Sequence, residues 1–80
     1  MITVHINVLG REYTADGESL GEAICKLKIP LVKGKSILTV TKGDYKKERV
    51  LNLFQTQRLF SPNPQMRALA VKNASILFGV

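Results

Sequence analysis

The chain has 80 residues, twelve Lys or Arg against six Asp or Glu, a formal net charge of +6, and 45% hydrophobic residues with no Trp. Eighty residues suffice for one core that buries somewhat over ~60% of the unfolded surface, and the apolar fraction excludes a charge-dominated disordered chain. A single cysteine, Cys25, excludes an internal disulfide and leaves no thiol pair for metal or redox chemistry.

Residues 1–80 are therefore expected to form one domain around an aliphatic core. A domain this small that lacks disulfides is expected in the cytoplasm. The start, Met1-Ile2-Thr3-Val4-His5-Ile6, has neither the positive flank nor the apolar run of a signal peptide. No segment approaches the ~18 apolar residues that span a bilayer, so no membrane partner is expected. The charge is unevenly spread: residues 1–25 carry a balance of −3, residues 26–49 carry +6, and residues 50–80 carry +3 with no acid at all.

Residues 2–9 alternate strictly, with Ile2, Val4, Ile6 and Val8 on one side and Thr3, His5, Asn7 and Leu9 on the other. Period two with one apolar face predicts a half-buried strand. Leu9-Gly10 suits a two-residue turn. Arg11–Ala15 then returns antiparallel, with Ile6 opposite Tyr13 and Val4 opposite Ala15.

Ser19 and Glu22 stand at capping-box spacing. Leu20, Ala23, Ile24 and Leu27 form one helical stripe. Acids at the start and Lys26 and Lys28 at the end match the helix dipole, and Pro30 forbids continuation. A helix is predicted over about 19–29. The run from Ile6-Asn7-Val8 through Gly17-Glu18-Ser19-Leu20-Gly21-Glu22-Ala23 to Ile29-Pro30 resembles the opening of β-grasp proteins such as plant-type ferredoxins. That resemblance covers about a third of the chain and implies a ββα start. The cluster cysteines of ferredoxins are absent, so no iron–sulfur cofactor follows from it.

Ser36–Lys42 is rich in Ile, Val and Thr and reads as a strand, Gly43-Asp44 as a turn, and Tyr45–Leu51 as the returning strand. The rival for this last stretch is a helix capped by Asp44, but Val50, Leu51, Leu53, Phe54, Leu59 and Phe60 spread right around such a helix. Residues 52–60 fit no single element. After the break at Ser61-Pro62, Asn63 is a suitable N-cap, Pro64 suits the first helical position and Gly79 the C-terminal end, which predicts a helix over about 64–78. Met66, Leu69, Ala70, Ile76 and Leu77 share one face of it; Val71 and Phe78 lie on another. The fold class is α+β, read as ββαββ plus a C-terminal helix, with one antiparallel or mixed sheet packed by helices.

Two features point toward function. The basic middle segment carries Lys33, Lys35, Lys42, Lys46, Lys47 and Arg49, with Arg58, Arg67 and Lys72 further on. Cations interleaved with hydroxyls and Tyr45 on a β-ribbon suit phosphate or carboxylate contacts, hence nucleic acid or an acidic protein. The plainer reading is an edge strand kept soluble and unpaired by lysine. The second feature is the pair Val71 and Phe78, taken as an apolar interface for a protein partner or a second copy.

Catalysis and cofactors are not expected. His5 is the only histidine and has no orienting partners in sequence, Cys25 adjoins the stripe of the first helix as a packing residue would, and no metal-ligand spacing occurs. Lys33-Gly34-Lys35-Ser36 lacks the upstream glycine of a phosphate-binding loop. The leading expectation is a non-catalytic binding module with a basic face. Its rival is a structural or assembly subunit, such as an accessory protein of a mobile element, working through the hydrophobic C-terminal third.

Overall fold

A computed structural model describes residues 1–29 and 34–80. In chain order the elements are β1 (Ile2–Val8), β2 (Arg11–Gly17), α1 (Leu20–Lys26), β3 (Ser36–Lys42), β4 (Tyr45–Leu51), α2 (Leu53–Leu59) and α3 (Pro64–Phe78). The strands form one sheet in the order β2-β1-β3-β4, and every neighbouring pair is antiparallel. The α+β class expected from sequence is present, with one helix, α2, in the stretch left unassigned.

Alternation in β1 decides which face is covered. Ile2, Val4, Ile6 and Val8 are all buried, while Thr3, His5 and Asn7 are only half-buried on the opposite face. The register matches the sequence expectation, with Ile6 opposite Tyr13 and Val4 opposite Ala15. Leu9 (φ 52°) and Gly10 (φ 84°) both adopt left-handed backbone, as a two-residue hairpin turn requires. The Asn7 side-chain oxygen accepts from the Gly10 N–H at 3.0 Å. On the other flank of β1, Val4 faces Val40 and Ile6 faces Leu38, both fully buried.

At the start of α1 the Ser19 hydroxyl accepts from the Glu22 N–H, and the Glu22 carboxylate accepts from the Glu18 N–H, each at 3.2 Å. Gly17 closes β2 under this turn: a Cβ there would stand 2.6 Å from the Ala23 backbone nitrogen, so only glycine lets the strand end meet the helix. α1 stops at Lys26, three residues short of the expected end. Leu27 is already extended (ψ 123°) and is buried in the core, so the chain leaves the helix before the restriction imposed by Pro30 is reached.

Asn52 caps α2 by a reciprocal exchange: its side chain accepts from the Gln55 N–H at 2.8 Å, and Gln55 accepts from the Asn52 N–H at 3.0 Å. A buried polar link then ties α2 to the sheet. Ser36 and Thr56, both essentially inaccessible, have hydroxyl oxygens 2.8 Å apart. The Thr56 hydroxyl donates to the Asn52 carbonyl at 2.8 Å, so the proton between the two hydroxyls comes from Ser36.

α3 is capped as expected, by Asn63 at one end and by left-handed Gly79 (φ 71°) at the other. Its orientation is the main correction to the sequence reading. Phe78 is 0% exposed and Ala74 is buried, with Val71 and Ala70 half-buried against the core. Met66, Leu69 and Ile76 are exposed instead, Leu69 by 61% and Ile76 by 75%. Val71 and Phe78 therefore do not form an outward patch. The helix is apolar nearly all round, so periodicity alone does not select its inner face. The choice falls to the bulky Phe78 ring and to Gly21 in α1, beside which Val71 fits: a Cβ at Gly21 would lie 3.4 Å from Val71 Cγ1.

Candidate polyanion-binding edge

Sheet order turns the sequence-level charge gradient into a spatial one. β2, at one edge, carries Glu12 and Asp16 and leads to Glu18 and Glu22. β4, at the opposite edge, carries Lys46, Lys47 and Arg49. Lys42 ends β3 beside the turn, and Lys35 precedes β3; both are exposed. Arg58 is exposed on α2 and Lys72 on α3, while Arg67 on α3 is half-buried. Lys33 lies outside the described residues. Among the described residues the ion pairs are His5 with Glu12 at 3.3 Å and Lys26 with Glu22 at 3.6 Å, both on the acidic side of the molecule. Among the described residues the cations of the β4 side have no carboxylate within ion-pair distance, although Asp44 in the turn and Glu48 on β4 stand among them.

The structure divides these cations by role. Lys47 donates to the Leu77 carbonyl at 2.8 Å, and the Tyr45 hydroxyl donates to the Phe78 carbonyl. Both groups close the C-terminus of α3, where unpaired carbonyls and the negative dipole end attract a cation. Lys47 is thus part of the scaffold. Arg49 donates to the Glu48 carbonyl at 2.9 Å and Arg67 to the Ser61 carbonyl at 3.4 Å. Lys35, Lys42, Lys46, Arg58 and Lys72 have no such side-chain bond among the described residues; Lys42 and Lys46 project beside the β3–β4 turn, Arg58 and Lys72 from α2 and α3, and Lys35 from the far end of β3.

A groove of about 180 Å³ opens between β4, α2 and α3, lined by Leu51, Gln55, Arg58, Leu59, Ala70, Asn73, Ala74 and Leu77. Lys47 and Arg49 sit on the same side of β4 as Leu51, by strand alternation. The groove therefore combines an apolar floor with a cationic rim. Sequence reading missed it because it depends on α2, whose one readable signal was the Asn52-to-Gln55 capping spacing.

The uncovered face of the sheet has a different character. It presents Thr3, His5 and Asn7 from β1, Ile37 and Thr41 from β3, Glu12, Thr14 and Asp16 from β2 and Lys46, Glu48 and Val50 from β4, by register, with Thr39 buried among them. Tyr13 and Tyr45 lie on the covered side, so no aromatic ring stands on the open face for a base to stack upon. His5 Nδ1 is 2.9 Å from the Thr14 hydroxyl and Nε2 is 3.3 Å from Glu12. Cys25 is exposed rather than packed, beside a shallow cleft of about 110 Å³ whose walls hold no histidine or carboxylate. Among the described residues no group of His, Cys, Asp and Glu has metal-site geometry, and no helix is long and apolar enough to cross a membrane. No protein-family model, curated protein or solved structure matches the chain.

Proposed function

We propose that this protein is a small non-catalytic binding module whose β4 side holds a polyanionic partner, either nucleic acid or an acidic protein. One observation carries the reading: among the described residues the cations of the β3–β4 hairpin and of α2 make no ion pair, and the β4 edge they occupy, which holds Asp44 and Glu48 against Lys42, Lys46, Lys47 and Arg49, lies opposite the acidic strand β2. Unpaired cations on one side create a directional positive field that steers an anion and releases counterions on contact. Lys42, Lys46, Arg58 and Lys72 are the principal contacts, Lys35 is a flanking one, and Arg49 and Arg67 contribute with donors that remain after their carbonyl bonds. The absence of rings on the open sheet face argues for backbone contact over base stacking if the partner is nucleic acid.

The test is fluorescence anisotropy with labelled single- and double-stranded oligonucleotides and with polyglutamate, titrated from low to physiological salt. The expected result is micromolar binding that weakens with salt, at a slope set by the number of anionic groups neutralised. K42E/K46E lowers affinity by at least about tenfold, since each contact contributes on the order of 1 kcal/mol. No binding at low salt, or binding indifferent to K42E/K46E, overturns the reading.

The exposed Met66, Leu69 and Ile76 on α3 support a second reading, in which the protein is a structural or assembly subunit docking through its outer helix face. A salt-insensitive complex with a protein partner, lost in Leu69→Glu, distinguishes it from the first.

A further inference from the structure

The groove between β4, α2 and α3 continues onto an exposed apolar surface. On α3, Ala70, Asn73 and Leu77 line the groove, and Met66, Leu69 and Ile76 follow around the same helix toward solvent. On α2, Phe54 stands 68% exposed one turn before Arg58, which lines the opposite wall. The largest apolar patch on an ordinary monomer covers about 300–600 Å² and is often functional. At about 180 Å³ the cavity is smaller than the ~300–1,000 Å³ typical of small-molecule sites. It suits one or two aliphatic side chains of a polypeptide, entering over a floor kept low by Ala70 and Ala74.

Charge selects the occupant. Residues 50–80 contain Arg58, Arg67 and Lys72 and no acid, and Lys47 and Arg49 flank the groove from β4. A second copy docked through this face about a two-fold axis would gather Arg58 and Arg49 of both copies at one interface with no acid to oppose them. A cationic partner is disfavoured in the same way. A nucleic acid would satisfy the cations but leave Phe54, Leu69 and Ile76 in water.

Resting on the polyanion reading above and narrowing it, we infer that this face takes the apolar side of an acidic amphipathic helix, with one or two aliphatic anchors at i and i+3/i+4 seated in the groove, a further one at i+7 against the exposed apolar face of α3, and carboxylates on Arg58 and Arg49. This is helix-in-groove recognition, with charge supplying orientation and the apolar floor supplying discrimination.

The test uses the ¹⁵N-labelled full chain and three synthetic 18-residue helical peptides: leucine face with glutamates elsewhere, the same leucine face with lysines elsewhere, and the glutamate peptide with its leucines replaced by serine. A 20-nucleotide single strand is the fourth probe. The leucine–glutamate peptide is expected to bind at least about tenfold more tightly than either other peptide. It should shift the amides of Arg58, Ala70, Asn73 and Leu77, and lose about tenfold in both Arg58→Glu and Leu69→Glu, two exposed positions whose substitution leaves the core intact. Equal binding of the two glutamate peptides overturns the inference while leaving the basic-edge reading standing. Equal binding of the lysine peptide, or a concentration-dependent dimer in sedimentation that buries the same amides, overturns it also. Failure of the oligonucleotide and all acidic probes alike removes the basic-edge reading itself.

Discussion

Thr56→Val removes a hydroxyl while conserving volume, and the structure determines what that hydroxyl does. Thr56 donates to the Asn52 carbonyl and accepts from Ser36. Asn52 keeps a second donor, the Thr56 N–H at 3.0 Å, so its carbonyl stays satisfied in the variant. Ser36 does not: it is 1% exposed, and its hydroxyl is left buried without a partner. An orphaned buried donor costs about 1–3 kcal/mol, so Thr56→Val should lose about 2 kcal/mol. Ser36→Ala deletes the donor and leaves Thr56 bonded to Asn52, for a loss of about 1 kcal/mol. In the double variant nothing remains orphaned, and the total should be about 1 kcal/mol rather than the sum, a coupling of about 2 kcal/mol. At 80 residues 1 kcal/mol is worth about 6 °C in Tm, so the singles should melt about 12 and 6 °C below the parent. Thermal and urea unfolding by circular dichroism reads all four proteins. Additive single losses, or a Thr56→Val loss under about 0.5 kcal/mol, would refute the buried relay and with it the way α2 is fixed to the sheet.

The orientation of α3 gives a sharper contrast. Phe78→Ala should cost about 3–5 kcal/mol, a large share of the ~5–15 kcal/mol available, whereas Ile76→Ser on the outer face should stay within about 0.5 kcal/mol; reversed urea midpoints would return Phe78 to the surface. Lys47→Met keeps the aliphatic stem but deletes the cation at the helix end. It should lower stability by about 0.5–1 kcal/mol while reducing polyanion affinity less than Lys46→Met does; a larger affinity loss at Lys47, read by anisotropy, would place Lys47 among the ligand contacts.

Much of this arrangement is legible in the residues because local and global preferences agree. In β1 the alternation, the Leu9-Gly10 turn and the Ile6–Tyr13 register all follow from period two and one glycine. β3, β4 and the two ends of α3 follow equally from strand composition, Gly43, Asn63 and Gly79. What stayed hidden depends on partners distant in sequence. α2 is only seven residues long, too short for its apolar residues to show a face, and it is held by the Asn52 cap and by Ser36 from another element. The inner side of α3 is chosen by Phe78 and by the space beside Gly21. At the candidate site the charge asymmetry is visible in the chain, but the withdrawal of Lys47 to the Leu77 carbonyl and the groove beside Arg58 exist only once α2 and α3 are docked.

The sheet also sets the order in which the molecule assembles. β1–β2 and β3–β4 are local hairpins, each closed by a tight turn, and such units form in about 1–10 μs. The seam between them pairs Ile2 with Lys42 and Val8 with Ser36, so it closes only after the whole stretch carrying α1 has been gathered in. That closure loses chain entropy before any contact compensates, which makes it the slow step. The two hairpins approach with unlike charge, since the first carries Glu12 and Asp16 against Arg11, and the second carries Lys42, Lys46, Lys47 and Arg49 against Asp44 and Glu48. The charge asymmetry that separates the two edges of the finished sheet first draws its own halves together, and it does so along the apolar seam that would otherwise be open to another chain.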